Sequence, residues 1–289
     1  MKLFKPDETI IKWLLEDDNP AVKYRVKTEI FGETADKTQA SGWLNGFLPE
    51  GWTERTGLWS VYYLNAFAEC GLNYEDFQAQ GANALKYGSP GNFDCACGDF
   101  MRLRALVRLG LAGDPEIKDI IDKLPGRQLP DGGFLCLHRL NNMNRTPKSC
   151  YKANTHALML CAECAKKGVG LEITEPLVNY FWNHNIFYKT DKPDTLVLKA
   201  REGWRAIDAF YPFEVMRVGL QNIVEAFCAL RYGNDPKLAG AWDLLNAKKA
   251  PDGKIILNGT LTKSYLPRER VGKPGKWATF YALLAEKER

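Results

Sequence analysis

The chain lacks a strong charge of either sign and any long hydrophobic run. Its 289 residues carry 39 Lys and Arg against 35 Asp and Glu, a net charge of +4 that is spread evenly. This balance gives no electrostatic reason to expect nucleic-acid binding. No stretch approaches the roughly 18 uninterrupted apolar residues of a transmembrane helix. The hydrophobic fraction of 45% is that of an ordinary soluble globular protein, which excludes disordered and collagen-like chains.

A secretion signal and a disulfide framework are also missing. Residues 1–8 (MKLFKPDE) contain neither an apolar core nor a small-residue cleavage site, so we expect a cytoplasmic protein. Eight Cys in this length are too few for a disulfide framework, and we expect free or metal-bound thiols. With only three His and no nucleophile-elbow motif, the sequence indicates no Ser-His-Asp arrangement.

Helical periodicity is abundant, by contrast. Apolar residues recur at helical spacing in segments that include 7–16, 59–70, 153–167 and 277–287, whereas alternating strand-like patterns are nearly absent. No linker rich in Gly, Pro or Ser divides the chain. The patterns predict an all-α protein with one domain over residues 1–289.

An internal repeat is the strongest single feature of the sequence. Residues 113–117 (GDPEI) match residues 234–238 (NDPKL), and residues 130–132 and 251–253 both read PDG at the same offset of 121 residues. Asp-Pro and Asp-Gly are common turn dipeptides, but the shared offset makes chance a poor explanation. A repeated helical hairpin is typical of a solenoid or a closed toroid. Both terminal segments have apolar faces, which favours an α/α toroid, complete or incomplete, because the two ends of a ring bury each other.

One turn and several short segments carry a family resemblance. Residues 128–134 (QLPDGGF) resemble the Gln-x-x-x-Gly-x-aromatic turn of the terpenoid cyclase and protein prenyltransferase superfamily. Segments 13–16 (WLLE), 20–25 (PAVKYR), 59–60 (WS) and 210–213 (FYPF) resemble small bacterial squalene-cyclase-like proteins, a group without an assigned reaction. The resemblance implies an α/α toroid with an aromatic-lined central cavity for an isoprenoid or other apolar ligand.

The catalytic signatures of that superfamily are mostly missing from this chain. It has no Asp-x-Asp-Asp acid of the squalene–hopene cyclase type, and the acidic pair at residues 17–18 is better explained as a helix cap. The prenyltransferase zinc motif Asp-x-Cys-Tyr has a partial match at residues 148–151 (KSCY). There Cys150 matches the Cys, Lys148 replaces the Asp, and no His stands where the third ligand should be.

Four cysteines outside the apolar helical runs are candidate zinc ligands. They are Cys95, Cys97, Cys136 and Cys150. An echo at an offset of 41 residues (GNFDC against GGFLC) places Cys95 and Cys136 at equivalent positions of adjacent repeats. Equivalent loops lie side by side in a ring, and four thiols, or three with His138 or His156, would suit tetrahedral zinc. The Cys95-x-Cys97 spacing is tighter than usual, so incidental unpaired thiols are the competing interpretation.

Two further residue sets complete the predicted site. Aromatic residues near the predicted inner-helix starts are Trp59, Tyr62, Tyr63, Trp204, Phe210 and Tyr211. They would stabilise a carbocation through cation–π attraction, or they simply fill the core. Acid/base candidates near the same helix starts are Asp94, Asp99, His156 and Glu214. The first hypothesis is therefore a terpene-cyclase-like or prenyltransferase-like protein that binds an isoprenoid or other apolar small molecule. The alternative is a non-catalytic, zinc-stabilised module that binds a ligand or a peptide.

Overall fold

A computed structural model describes residues 4–55, 57–83, 93–135, 149–189, 192–196, 219–258 and 269–289. Within these ranges, six helical elements run side by side around a common axis. These inner elements are α2 (Pro20–Arg25) with the π-helical turn Val26–Ile30 that continues it, α4 (Leu58–Glu69), α6 (Cys97–Arg108), α8 (Tyr151–Lys166), α10 (Leu220–Ala229) and α12 (Lys276–Glu288). From α4 to α12 each inner helix packs on the next, α12 packs on α2, and Arg25 of α2 reaches Glu69 of α4. The inner elements therefore form a closed ring.

The outer layer consists of helices that alternate with the inner elements along the chain. They are α1 (Glu8–Leu14), α3 (Thr38–Asn45), α5 (Tyr74–Gln78), α7 (Pro115–Lys123), α9 (Thr174–Asn183) and α11 (Ala239–Asn246). A short antiparallel hairpin of β1 (Tyr188–Lys189) and β2 (Lys192–Leu196) follows α9. The predicted helical class and the α/α toroid are confirmed. The hairpin, α3 and α5 are not among the elements that the sequence pattern predicts.

The hydrophobic core lies between the inner and outer layers. Each of four outer helices contributes a large apolar side chain that is at most 4% exposed: Phe77 in α5, Ile117 in α7, Leu177 in α9 and Trp242 in α11. The outer helices therefore need only one apolar face. The inner helices are covered by the core on one side and face the ring axis on the other, which explains why most residues of α6, α8 and α12 are buried.

The repeat predicted from the shared offset of 121 residues is present in the backbone. Gly132 and Gly253 both have positive φ, at +84° and +79°, which glycine adopts without steric cost. Each of the two turns is closed by a backbone hydrogen bond of 2.8 Å, from Gly132 N to Leu129 O and from Gly253 N to Ala250 O. The matching PDG motifs therefore form matching turns.

The Asp-Pro motifs of the repeat begin two equivalent outer segments. Asp114 accepts a hydrogen bond from Glu116 N at 2.9 Å, and Asp235 accepts one from Lys237 N at 2.8 Å. In both places Pro occupies the first helical position, where its missing N–H is not needed. The Asp-Pro cap is thus the same in both copies, although it begins α7 directly and a 3-10 turn (Pro236–Leu238) that leads into α11.

The first helix of the chain closes the ring beside the last turn. A Cβ atom at Gly132 would lie 2.1 Å from Pro176 O in α9, and one at Gly253 would lie 2.7 Å from Ile10 Cδ1 in α1. Both turn glycines therefore allow a close approach of an outer helix. Beside the second turn, α1 occupies the place that α9 occupies beside the first.

Candidate functional site

The inner elements run in register, which defines levels along the ring axis. Asn65 Nδ2 of α4 donates to Met101 O of α6, and Arg104 Nη1 of α6 donates to Met159 Sδ of α8, both at 3.2 Å. The N-terminal ends of the inner elements form one face of the ring, here called the mouth, and their C-terminal ends form the opposite face, the floor. Because aligned helix dipoles add, the mouth carries partial positive charge and the floor partial negative charge.

Two of the predicted aromatic residues lie together at the mouth. The Trp59 ring is 40% exposed and tilts against the Tyr62 ring, with the centroids 5.8 Å apart. Tyr62 also packs on a small apolar cluster of Val61 and Met101 that is separate from the main core. Tyr63, one position further along α4, is fully buried in the main core instead. Trp59, Tyr62 and Met101 therefore mark the upper part of the axis.

Two predicted acid/base residues stand at the start of α6. Asp99 Oδ2 accepts backbone hydrogen bonds from Asp94 N at 3.0 Å and from Ala96 N at 3.1 Å. Burial raises the pKa of the Asp99 carboxyl, although these two N–H donors partly oppose the effect. Asp94 itself is exposed. The structure thus shows Asp99 capping α6 at the mouth, and the acid/base roles of both residues stay predictions.

The third acid/base candidate, His156, lies about one helical turn inside the mouth. Its side chain is 1% exposed. The register of α6 and α8 places His156 level with Met101, and it places Lys152 level with Cys97, one turn closer to the mouth. Lys152 is half-buried. A ligand at the mouth would therefore meet Lys152 before His156.

Three of the four predicted zinc ligands lie in the described ranges. Cys97 is the first residue of α6, and Cys150 directly precedes α8. Burial raises the pKa of the Cys97 thiol, Lys152 opposes this and the nearby Cys150 adds to it, so Cys97 is protonated at neutral pH. Cys95 is buried, and in the part of the chain that the structure describes no three His, Cys, Asp or Glu side chains are arranged to hold a metal ion. The zinc site stays a prediction that metal analysis of the purified protein tests.

The remaining predicted site residues lie outside the described residues. They are Cys136, His138, Trp204, Phe210, Tyr211 and Glu214. The roles predicted for them stay predictions.

At the floor, buried charged residues fill the axis. Glu69, at the end of α4, lies 3.2 Å from Arg25 Nη1, 2.8 Å from Arg104 Nη2 and 2.6 Å from Arg108 Nη1, and it accepts a hydrogen bond from the Tyr281 hydroxyl. Burial opposes ionisation of Glu69, but the guanidiniums outweigh burial and hold its pKa well below the usual range. Cations are also favoured at this end because helix C-termini carry partial negative charge.

A second group of floor residues surrounds Lys166 at the end of α8. Its ammonium contacts the Glu225 carboxylate of α10 and lies 3.9 Å from Glu288 Oε1 of α12. Burial raises the pKa of Glu288 to about 8, and the neighbouring Glu225 contributes in the same direction. Arg108 Nε lies 3.5 Å from Glu163 Oε1 of α8 and so joins the two groups.

Charges at the floor balance when one carboxyl group keeps its proton. Among the described residues, these two groups contain the four cations Arg25, Arg104, Arg108 and Lys166 and the five carboxyl groups of Glu29, Glu69, Glu163, Glu225 and Glu288. With its pKa of about 8, Glu288 is mostly protonated at neutral pH, which leaves four charges of each sign. None of these residues was predicted from the sequence. The available signal was charged residues at spacings of three or four, such as Arg104 and Arg108, inside otherwise apolar helices.

Comparisons with known proteins support the fold. No family model matches the chain, and no curated protein matches it. The solved structure of a polysaccharide lyase is similar to this chain, with a TM-score of 0.51 and 11% sequence identity over 93% of this chain and 89% of that chain. At this identity the likeness shows the fold alone, in agreement with the α/α toroid. Among the helices of the described ranges, none has both the length and the apolar character to cross a membrane.

Proposed function

We propose that the protein binds a carbohydrate at the mouth of the ring, with Trp59 as its main contact. The observation that carries the proposal is the Trp59 ring, which is 40% exposed at the rim and supported by Tyr62. The C–H faces of sugar rings pack on indole rings, while their hydroxyl groups bond to polar side chains. Asp94 and Lys152 supply such groups at the same end. The similar solved structure is a polysaccharide lyase by its name, which supports the same class of ligand.

The side chains that fill the ring axis limit how deep a ligand can enter. Trp59 and Asn65 are six positions apart on α4, which is about 9 Å along a helix. Arg104 Nη2 donates to Asn65 Oδ1 at 3.1 Å and to Glu69 Oε1 at 2.8 Å, so paired polar groups occupy the axis from this level downwards. A single sugar ring needs to enter no further than this level. A long isoprenoid chain would have to displace buried charge pairs, which is costly.

The electrostatics of the mouth favour an acidic sugar over a neutral one. Six inner elements point their N-terminal ends toward this face, and Lys152 adds a full positive charge. We expect oligosaccharides that contain uronic acids to bind more tightly than neutral ones. Added salt should reduce the difference, because these groups are near solvent.

Titration calorimetry with neutral and uronic-acid oligosaccharides tests the proposal. Trp59→Ala should weaken binding about tenfold or more, a change of about 1.4 kcal/mol, because it removes the stacking face. Phe31→Ala is the matched control, since Phe31 is 43% exposed but lies at the floor end of the π-helical turn. Failure of the wild-type protein to bind any of the oligosaccharides, or an equal loss in both variants, contradicts the proposal.

A second candidate ligand is an isoprenoid or another apolar molecule, as the resemblance to terpenoid cyclases implies. One observation favours it: Val61, Met101 and Tyr62 form an apolar cluster near the mouth that is separate from the main core. A short prenyl diphosphate in the same titration distinguishes the two candidates. Binding of the prenyl diphosphate without binding of any oligosaccharide would replace the first candidate by the second.

A further inference from the structure

A concave surface lies away from the ring axis, between α2 and the start of α3. It forms a cavity of about 240 Å³. One wall carries Lys23, Tyr24 and Lys27, and the other carries Asp36 and Gln39. The cavity therefore has a basic side and an acidic side within one small volume.

The basic wall offers a free cation. Lys23 Nζ pairs with Asp17 Oδ1 at 2.6 Å, and such a solvent-exposed pair contributes little. Lys27 follows four residues later on the π-helical turn, a kind of turn that is frequent at functional sites. Among the described residues, neither the Lys27 ammonium nor the Tyr24 hydroxyl has a hydrogen-bond or ion-pair partner. This wall is suited to hold an anionic group.

The acidic wall offers a free carboxylate oxygen. Asp36 Oδ1 accepts hydrogen bonds from Thr38 Oγ1 at 2.7 Å and from Thr38 N at 2.9 Å. These bonds lower the pKa of Asp36, so its carboxylate is ionised at neutral pH. Within the described part of the chain, neither Asp36 Oδ2 nor the Gln39 side-chain amide makes a hydrogen bond. This wall is suited to hold an ammonium group.

The aromatic side of the cavity is fixed in place by a glycine. A Cβ atom at Gly71 would lie 2.9 Å from Tyr24 Cε1, and Gly71 has a φ of +76°. The absence of a side chain at Gly71 lets the Tyr24 ring pack against the backbone after α4. The ring can therefore present a stable apolar face to a ligand.

We propose that this cavity binds a small zwitterion of the amino-acid class. The ligand carboxylate pairs with Lys27 and the Tyr24 hydroxyl, its ammonium pairs with Asp36, and its side chain packs on the Tyr24 ring. The volume of about 240 Å³ is below the roughly 300–1,000 Å³ of pockets for drug-sized ligands and suits a single amino acid. This site is independent of the mouth and of any ligand bound there.

Titration calorimetry with the common free amino acids, each compared with its N-acetyl and its carboxamide derivative, tests this proposal on the full chain. At least one free amino acid should bind, and both derivatives should bind about tenfold more weakly or worse, because each removes one charge. Lys27→Gln and Asp36→Asn should each weaken binding about tenfold. The Asn side chain keeps the Oδ1 acceptor for Thr38, so the start of α3 is preserved. Lys118→Gln, at an exposed lysine of α7, is the matched control and should bind normally.

Three results would overturn the proposal. The first is that no free amino acid binds at millimolar concentration. The second is that an N-acetyl derivative binds as tightly as its parent, which would indicate a simple anion site. The third is that Lys118→Gln loses as much affinity as Lys27→Gln, which would indicate non-specific charge attraction. The comparison of ligands uses the wild-type protein, so it decides the question even where a variant does not fold.

Discussion

At the floor, Glu69 is buried among three guanidiniums, whereas at the mouth Trp59 is 40% exposed and the Asp99 carboxylate bonds to backbone N–H groups. Both ends sit on the same parallel helices, so the difference comes from side chains and from the opposite sign of the helix ends. Paired charges close the floor and hold six elements together. The mouth keeps aromatic and polar groups near solvent. Buried charge pairs and solvent-exposed aromatic groups are thus separated along one axis.

The largest expected effect is at the floor. Glu69→Gln should destabilise the fold by about 3–5 kcal/mol, because it leaves buried guanidiniums without a counter-charge. Urea unfolding measures the change. Glu75→Gln, at an exposed position of α5, is the control and should stay within about 0.5 kcal/mol of wild type. A loss below about 1 kcal/mol for Glu69→Gln would show that Glu29 and Glu163 suffice to neutralise the cluster.

The next effect concerns pH. The pKa of Glu288 is about 8 in the folded protein against an ordinary 4.5, so the folded state binds this proton more tightly and stability falls as the pH rises from about 4.5 to about 8. The Glu288 carboxyl lies near Glu163, Lys166 and Glu225. The variant Glu288→Gln should flatten this decline, and above about pH 8 it should be more stable than the wild type. Glu69 has the opposite sign, because its lowered pKa adds stability that is lost as the pH falls below about 4.5.

Unfolding free energies measured across this pH range check the Glu288 prediction. Glu286→Gln is a useful control, because Glu286 is partly exposed and pairs with Lys249 at the surface of the same helix. An unchanged slope in Glu288→Gln would assign the excess proton to another carboxyl group, with Glu225 as the next candidate, since burial also raises its pKa.

A smaller effect is expected for the cap at the mouth. Asp99→Ala should destabilise the protein by about 1 kcal/mol, because Asp94 N and Ala96 N lose their acceptor. Asp99→Asn keeps an acceptor and should recover most of this loss. Thermal or urea unfolding distinguishes the two variants. An equal loss in both would mean that the negative charge, and not the hydrogen bonds, stabilises the start of α6.

The smallest expected effect is the stability of Trp59→Ala. Because Trp59 is 40% exposed, the free energy of unfolding should stay within about 0.5 kcal/mol of wild type. Trp242→Ala, at a buried tryptophan of α11, should lose about 3 kcal/mol or more in the same measurement. A large loss for Trp59→Ala would place Trp59 in the core and remove the separation between mouth and floor.

The sequence predicts local geometry better than it predicts the direction of a side chain. The PDG turns at Gly132 and Gly253 were predictable because their offset is shared and positive φ requires glycine. Tyr62 and Tyr63 look equivalent in the sequence. The helix rotates by about 100° per residue, however, and this places Tyr62 at the axis and Tyr63 in the core. Without the ring, nothing indicates which face of α4 is inward.

The floor was not predictable for a related reason. Glu69 and its partners Arg25 and Arg104 are separated by 44 and 35 positions, and no local pattern links them. Each alone resembles a charged residue on a solvated helix face. The helix α5 was missed because its five residues cannot show a helical period. The helix α3 was missed because only two of its residues, Ala40 and Leu44, are buried apolar ones.

Closure of the ring joins residues from opposite ends of the chain. Arg25 Nη1 bonds to the Tyr281 hydroxyl at 3.1 Å across 256 positions of sequence. Contacts of such separation form late, because a long loop must close first. A chain growing from the ribosome can build α4, α6 and α8 against one another, while the inner face of α2 stays uncovered until α12 emerges. We therefore expect the nascent chain to expose the apolar inner face of α2 until α12 has been synthesised, which is the interval in which chaperones would act.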